Sequence, residues 1–170
     1  DVAIEAAAMC PKLELCLIVD GTGDDGNFLD YATEVAKFPS TPIEDESLGV
    51  SMMYSSGTTG RPKGILRPLQ DSAPDTPLPL WGFLDGLWKY RDGMRYLSPA
   101  PLYHSAPQAA VGLTLRRGGT VIIMEHFDPE DYLRLVEKYK VTHSQLVPTM
   151  FSRMLKLPED VKHRYDLSSL

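Results

Sequence analysis

The chain has 170 residues, of which 43% are hydrophobic and 24% are charged, a composition typical of a globular protein of about one domain. Its formal net charge of -6 excludes general nucleic-acid binding, which depends on neutralising many phosphates with lysine and arginine. No apolar run approaches the ~18 residues that a membrane span needs, and no signal peptide opens the chain. The sequence therefore predicts a cytoplasmic protein with no integral membrane segment.

The first part of the chain mixes short helical and extended patterns. An alanine-rich run predicts a helix over 2–9, ended by Pro11, and an apolar run predicts a strand over 15–19. Residues 28–38 predict one further helix, ended by a proline. The two cysteines, Cys10 and Cys16, have no histidine nearby in sequence, so they are interpreted as reduced, partly buried thiols rather than metal ligands.

A loop rich in hydroxyl groups and glycine occupies residues 54–64, with the sequence Tyr-Ser-Ser-Gly-Thr-Thr-Gly-Arg-Pro-Lys-Gly. An apolar run over 50–54 predicts a buried strand before it, and residues 65–66 predict a second strand after it. Glycines let the backbone take positive φ and approach a ligand closely, so that N–H groups can point at an anion. Lys63 adds a compact positive charge. The loop suits an oligophosphate, although its spacing matches neither the Walker A motif nor the dinucleotide fingerprint.

The groups expected to take part in this phosphate site are hydroxyls, glycines and one lysine. They are Ser55, Ser56, Gly57, Thr58, Thr59, Gly60, Lys63 and Gly64.

Residues 70–80 contain several prolines and predict an exposed excursion without regular structure. After it, Trp81, Leu84 and Trp88 recur at helical spacing and predict a packed face of a helix over 81–90.

The second half of the chain alternates strand and helix patterns. Strands are predicted at 95–98, 120–124 and 141–147, and helices at 108–115, from Pro129 and from Pro148. The pair Arg116 and Arg117 is expected to cap the negative end of the first of these helices. Leu133, Val136 and Tyr139 share the predicted buried face of the second. This order predicts an α/β fold with a largely parallel sheet flanked by helices, joined by right-handed crossovers.

Three histidines have contrasting settings. Prolines on both sides place His104 in a loop at a strand end, whereas His126 and His143 have no ligand-like spacing and are interpreted as structural. No metal site is predicted from the residues.

Residues 54–64 resemble the signature loop of the adenylate-forming superfamily, which includes acyl-CoA synthetases, luciferases and adenylation domains. Residues 99–107 are similar to that family's second segment, whose histidine or aromatic residue borders the acyl pocket and the adenylate. The Val-Pro-Thr-Met run at 147–150 is also familiar from acyl-CoA synthetases. Two other runs, at 22–24 and 31–34, mimic the family's ribose and magnesium motifs, but they precede the loop and are interpreted as coincidental.

The resemblance implies a fatty acid–CoA ligase that uses ATP, Mg²⁺ and CoA. It assigns catalytic roles to Lys63 and His104, and contact with the carboxylic acid substrate to His104 and Met150. It implies that residues 1–170 are part of an N-terminal AMP-binding domain, without the C-terminal domain, and that this piece alone is inactive. An adenylation domain that loads a carrier protein, a non-catalytic fragment that binds ATP or pyrophosphate, and a homodimer stay open as alternatives.

Overall fold

The computed structural model describes residues 2–21, 28–55, 60–77 and 79–170. The chain divides into two compact units, Asp1–Glu46 and Ser47–Leu170. Within the described residues, no helix is both long enough and apolar enough to cross a lipid bilayer.

The first unit contains two short helices and a two-stranded parallel sheet. Its elements are α1 Val2–Ala8, β1 Leu17–Ile18, β2 Leu29–Asp30 and α2 Tyr31–Val35. The predicted helix over 2–9 is confirmed, and the strand predicted over 15–19 is shorter than expected. Cys10 is exposed and Cys16 is half-buried, and both are free thiols, so the predicted partial burial holds for Cys16 alone.

The single helix predicted over 28–38 is wrong, because a strand and a helix cap occupy its first residues. Asp30 is extended, and its Oδ1 accepts hydrogen bonds from the backbone N of Thr33 at 2.8 Å and from the Thr33 hydroxyl at 2.6 Å. An aspartate that satisfies free N–H groups in this way starts a helix instead of continuing one. Thr33, within the motif mimic at 31–34, is therefore part of a helix cap. The mimic at 22–24 lies outside the described residues.

The second unit begins with a β-hairpin. Strand β3 Met53–Ser55 pairs antiparallel with β4 Lys63–Ile65, which confirms that the loop connects two strands. The predicted burial of 50–54 is wrong, since Tyr54 is 67% exposed. The physical reason is that β3 and β4 form a sheet of two strands, separate from the parallel sheet. An apolar run in such a strand is buried only if another element packs on it.

Helix α3 Pro79–Trp88 follows the proline-rich segment. Trp81 and Leu84 are half-buried as predicted, whereas Trp88 is 37% exposed and contacts the ring of Tyr90 at a centroid distance of 5.7 Å.

Three parallel strands form the sheet of the second unit, in the order β6-β5-β7. The strands are β5 Arg95–Ser98, β6 Thr120–Ile123 and β7 His143–Ser144. Parallel neighbours need crossover connections, which contain α4 Ser105–Arg116 and α5 Pro129–Tyr139. The predicted α/β class, with a largely parallel sheet flanked by helices, is confirmed.

The strand predicted over 141–147 is reduced to two residues. Ser144 is the last residue that pairs with β5, and Val147 already caps α6 Pro148–Leu155. Helix α4 begins at Ser105, earlier than the predicted 108, with His104 as its N-cap. Helix α7 Glu159–Lys162 follows near the end of the chain.

The core of the second unit lies between the parallel sheet and α5. Asp128 caps α5 by accepting a hydrogen bond from the backbone N of Asp131 at 2.8 Å, and Lys140 ends the helix in the left-handed conformation with φ 48°. Leu133 and Val136 are buried, in agreement with the predicted apolar face. The buried cluster consists of Leu97, Met124, Tyr132, Leu133, Leu135, Val136 and Val141, and Met154 packs against it.

Arg116 lies in the last turn of α4 and Arg117 is its C-cap, as predicted for the negative end of this helix, but their side chains also contact other elements. Arg116 donates a hydrogen bond to the carbonyl of Pro74, and Arg117 pairs with Asp85 in α3. Long arginine side chains can reach neighbouring elements that offer a carbonyl, an ion partner or an aromatic face.

Candidate functional site

Both ends of the predicted phosphate loop are held together by the hairpin. Ser55 ends β3 and Lys63 begins β4, and the two residues are register partners. Both side chains are exposed. The hydroxyl and the ammonium group therefore belong to opposite strands at the same end of the hairpin, where residues 56–62 connect them. Four of the predicted cofactor contacts, Ser56, Gly57, Thr58 and Thr59, lie outside the described residues.

The two described glycines of the loop have different roles. Gly60 has φ 83° and open space around its Cα, so the backbone conformation is what requires glycine there. Gly64 lies within β4 and does not have positive φ, which corrects the prediction for this position. A Cβ at Gly64 would lie 2.8 Å from Cε of Met52 and 3.2 Å from Cε1 of Tyr54. A larger residue at Gly64 would therefore require the exposed side chains of Met52 and Tyr54 to shift.

Lys63 presents an uncompensated positive charge. No ion pair to Lys63 occurs among the residues that the structure describes, and its side chain is exposed on an extended strand. A lysine in this setting is available as a point charge for an anion. The described part of the loop thus supplies a cation, one hydroxyl and a glycine turn, which are groups that suit phosphate oxygens.

His104 lies where the sequence placed it, between a strand and a helix. It follows the carboxyl end of the central strand β5, has extended backbone dihedrals (φ -82°, ψ 144°) and caps α4 without a side-chain hydrogen bond. Its ring contacts the ring of Tyr103 at a centroid distance of 4.5 Å and is otherwise exposed. The carboxyl ends of parallel strands are the usual edge for ligands in α/β sheets.

Met150 occupies the first turn of α6, after the carboxyl end of β7. It is half-buried, and its backbone N donates to the carbonyl of Val147 at 2.9 Å. No hydrogen bond, ion pair or ring contact among the described residues joins the side chains of Lys63, His104 and Met150. The structure brings His104 and Met150 to the same edge of one sheet and places Lys63 on the separate hairpin.

A cavity of about 350 Å³ lies beside strand β7, and the sequence analysis did not identify it. Its lining comprises aromatic and polar residues, namely Trp88, Tyr90, Thr142, His143, Ser144, Gln145 and Leu170. These residues come from distant parts of the chain, and only the strand register brings them together. The spacing of Trp88 and Tyr90 gave no signal of a shared cavity.

His143 is held by several contacts at this cavity. Its Nδ1 lies 2.8 Å from the Thr142 hydroxyl, its Nε2 lies 3.2 Å from the Lys89 carbonyl, and its ring meets the Tyr90 ring edge-on at 5.1 Å. Burial lowers the pKa of His143, since the charged imidazolium is disfavoured away from water. Burial also raises the pKa of Tyr90 to about 12. These contacts agree with the structural role predicted for His143.

The described residues contain no cluster of metal-binding side chains. Nowhere in the described ranges do three or more His, Cys, Asp or Glu side chains come together in a group that could hold a metal ion. No step of the chemistry is therefore assigned to a metal held by these residues.

A family model described as "AMP-binding enzyme" matches residues 2–170. The chain belongs to the AMP-binding, adenylate-forming enzyme family. This match confirms the resemblance found in the loop, and it extends across both units.

Three similar proteins illustrate the range of this family. A medium/long-chain-fatty-acid–CoA ligase, FadD8 of Mycobacterium tuberculosis, is 34% identical over 146 residues, covering 84% of this chain and 24% of that protein. The 4-coumarate–CoA ligase CCL1 of Humulus lupulus is 33% identical over 135 residues, covering 79% of this chain and 24% of that protein. The solved structure of a luciferase-like enzyme from the mealworm Zophobas morio has a TM-score of 0.63 at 27% identity, covering 99% of this chain and 38% of that chain. The chain thus spans about a quarter of the length of these two curated relatives.

Proposed function

We propose that this chain forms the triphosphate-binding part of an AMP-forming acid–CoA ligase. The observation that carries the proposal is the hairpin, in which Lys63 is the register partner of Ser55 beside the signature loop and has no ion partner among the described residues. The family match over residues 2–170 and the two CoA ligases among the similar proteins support the reaction type. In this proposal residues 1–170 are part of the N-terminal domain of a longer cytoplasmic enzyme.

The proposed reaction has two steps. A carboxylate oxygen attacks the α-phosphorus of ATP, the bond to the bridging oxygen breaks, and acyl-adenylate and pyrophosphate form. The sulfur of CoA then attacks the acyl carbonyl, and AMP leaves with the carboxylate oxygen while a thioester forms. The first step needs positive charge and N–H or O–H donors where negative charge develops on the leaving pyrophosphate. In this proposal Lys63 supplies the positive charge and Ser55 supplies one O–H donor.

The acid is proposed to lie at the carboxyl edge of the parallel sheet, where His104 and Met150 each follow a strand. An exposed imidazole and a half-buried thioether, each following one of two neighbouring parallel strands, suit an acid with an apolar chain and one polar end. We infer a fatty acid, in line with the FadD8 similarity; the similarity to a 4-coumarate–CoA ligase makes an aromatic acid the principal competitor. Calorimetric titration of the protein with each acid in the presence of ATP distinguishes the two.

Calorimetry with ATP and Mg²⁺ tests the phosphate role of Lys63. The unaltered chain is expected to bind, and Lys63→Ala is expected to weaken binding by about tenfold, the loss of one charge-assisted contact. Lys12→Ala is a matched control, because Lys12 is an exposed lysine in the other unit. Equal affinity of the Lys63→Ala variant and the unaltered chain would refute the proposed role. In a longer form of the protein, CoA-dependent release of AMP tests the whole reaction.

A further inference from the structure

The segment that follows the phosphate hairpin is anchored by the end of a helix. Residues 66–77 are largely exposed, but Pro74 is half-buried and its carbonyl accepts a hydrogen bond from Nη2 of Arg116 at 2.7 Å. The same guanidinium lies over the ring of Trp81 in α3, 4.4 Å from its centroid. The side chain of Arg116, at the end of α4, therefore contacts both the segment 66–77 and helix α3, which follows it.

The segment 66–77 is also hydrogen-bonded to the residues that precede β3. The backbone N of Leu48 donates to the carbonyl of Ser72 at 2.7 Å. Leu48 precedes β3 and Ser72 follows β4. The segment that enters the hairpin and the segment that leaves it are therefore hydrogen-bonded close to Pro74 in sequence. A contact that restrains Pro74 thereby also restrains the segments that enter and leave the hairpin carrying Lys63.

A second link reinforces the same helix end. Arg117 pairs with Asp85 of α3, and the other carboxylate oxygen of Asp85 is buried without a hydrogen-bond partner. Since a half-buried carboxylate is costly without its cation, Asp85 depends on Arg117. The two consecutive arginines therefore attach helix α3 and the segment 66–77 to α4, the helix that begins after His104.

We propose that Arg116 is a positioning residue that sets the phosphate hairpin relative to α4. The planar guanidinium donates to a carbonyl and covers an indole face at once, which a lysine ammonium does less well. Loss of this contact makes residues 66–77 more mobile. Through the bond between Ser72 and Leu48, it also loosens the end of the hairpin that lies away from the loop. The consequence for nucleotide affinity rests on the proposed function, whereas the consequence for the mobility of the hairpin does not.

Limited trypsin digestion measures the hairpin directly. Between Lys37 and Lys89 the lysines and arginines are Arg61, Lys63 and Arg67, and proline follows both arginines. Trypsin cleaves poorly before proline, so Lys63–Gly64 is the one readily cut bond in this stretch. Cleavage within a paired strand requires local opening, and its rate reports the population of the open form. Mass spectrometry of the fragment that begins at Gly64 gives the rate.

Four proteins are compared. Arg116→Ala is expected to speed cleavage at Lys63 by about fivefold or more, and Arg116→Lys to restore part of the protection. Arg134→Ala is the matched control, because it also removes one exposed helical arginine and one tryptic site but breaks a pair within α5. It is expected to match the unaltered chain. Equal rates for Arg116→Ala and Arg134→Ala would overturn the proposal.

Two further readouts keep the test decisive. Trp81→Leu removes the ring but leaves Arg116, and it is expected to speed cleavage less than Arg116→Ala; unchanged cleavage would contradict a role for the stacked pair. In a Trp88→Phe background, Trp81 is the sole tryptophan, and Arg116→Ala should change its emission. Unchanged emission would equally contradict the stacking.

Addition of ATP and Mg²⁺ separates this inference from the proposed function. ATP is expected to slow cleavage at Lys63 in the unaltered chain and to do so less in Arg116→Ala. If ATP gives no protection but Arg116→Ala still opens the hairpin, the nucleotide role fails and the positioning role of Arg116 stands. If ATP protects both proteins equally and their cleavage rates agree, the positioning role fails and the nucleotide role stands.

Discussion

Ser55 and Lys63 are register partners at the end of the β3–β4 hairpin where the connecting loop begins. Antiparallel partners lie close across the two strands, so the loop that joins them starts and finishes at the same place. This arrangement flanks the glycine-rich loop with two paired, exposed residues. It also means that the position of Lys63 depends on the hairpin, and that changes in the hairpin should alter nucleotide affinity.

Gly60 should resist substitution for conformational reasons. Its φ of 83° is disfavoured for residues with a Cβ, and no atom of the described residues would clash with one. Gly60→Ala is expected to cost about 1–2 kcal/mol of local conformational energy and to weaken ATP binding by about tenfold. Gly60→Asn should retain more affinity than Gly60→Ala, because asparagine tolerates the left-handed region better. Calorimetry on the three proteins tests this order; equal loss in both variants would contradict it.

His104 should matter for the acid and not for folding. Its side chain makes no capping hydrogen bond and is exposed, so His104→Ala is expected to change the free energy of unfolding by less than about 0.5 kcal/mol. In a longer form of the protein with ligase activity, KM for the acid should rise by roughly tenfold while KM for ATP stays unchanged. Steady-state kinetics and urea unfolding check the two parts. A loss of stability without a change in KM would assign His104 a structural role.

Leu97 should be the site of a large loss of stability. It lies in the central strand β5, is 0% exposed, and belongs to the cluster between the sheet and α5. Leu97→Ala is expected to lower the free energy of unfolding by about 2–5 kcal/mol, the transfer of the side chain plus the cavity left behind. Leu155→Ala is the control, since Leu155 is 72% exposed at the end of α6 and should cost little. Urea unfolding measures both.

Asp166 should make the stability of the fold decrease at acidic pH. Its carboxylate accepts from Lys140 Nζ at 2.9 Å and from the backbone N of Ser168 at 3.0 Å, and these bonds hold its pKa well below the usual value. A depressed folded-state pKa contributes stability above the unfolded value near 4, which is lost as pH falls toward the folded value. The melting temperature of the unaltered chain should therefore fall between about pH 5 and pH 3 more steeply than that of Asp166→Asn. Parallel slopes would show that this contact contributes nothing.

Helical segments with their own start and stop signals were predicted well. Asp128 followed by Pro129, with apolar residues at helical spacing, defined α5 and its buried face, because a cap and a periodic stripe act within a few residues. The strand-loop-strand arrangement around Lys63 followed from the apolar runs on both sides of the glycine-rich loop, although the strands themselves are Met53–Ser55 and Lys63–Ile65. The helix over 28–38 failed because the local signal of Asp30 as a cap was overlooked.

Burial and long-range contacts were the part that could not be predicted. The apolar run at 50–54 satisfied the pattern of a buried strand, yet Tyr54 is exposed, because burial depends on whether another layer covers the strand. The partners of Arg116 and Arg117 were missed because Pro74, Trp81 and Asp85 are distant in sequence and become neighbours only when α3 packs near the end of α4.

The sequence by itself determined the family, the α/β class and the presence of a glycine-rich loop between two strands. These follow from residue order over short distances, where backbone preferences and capping groups act directly. Only the tertiary structure decided that Ser55 meets Lys63 in register, that His104 and Met150 share one edge of the sheet, and that Arg116 bridges Pro74 and Trp81. Those relationships depend on strand pairing and on side-chain packing between segments far apart in the chain, and no local pattern of residues encodes them.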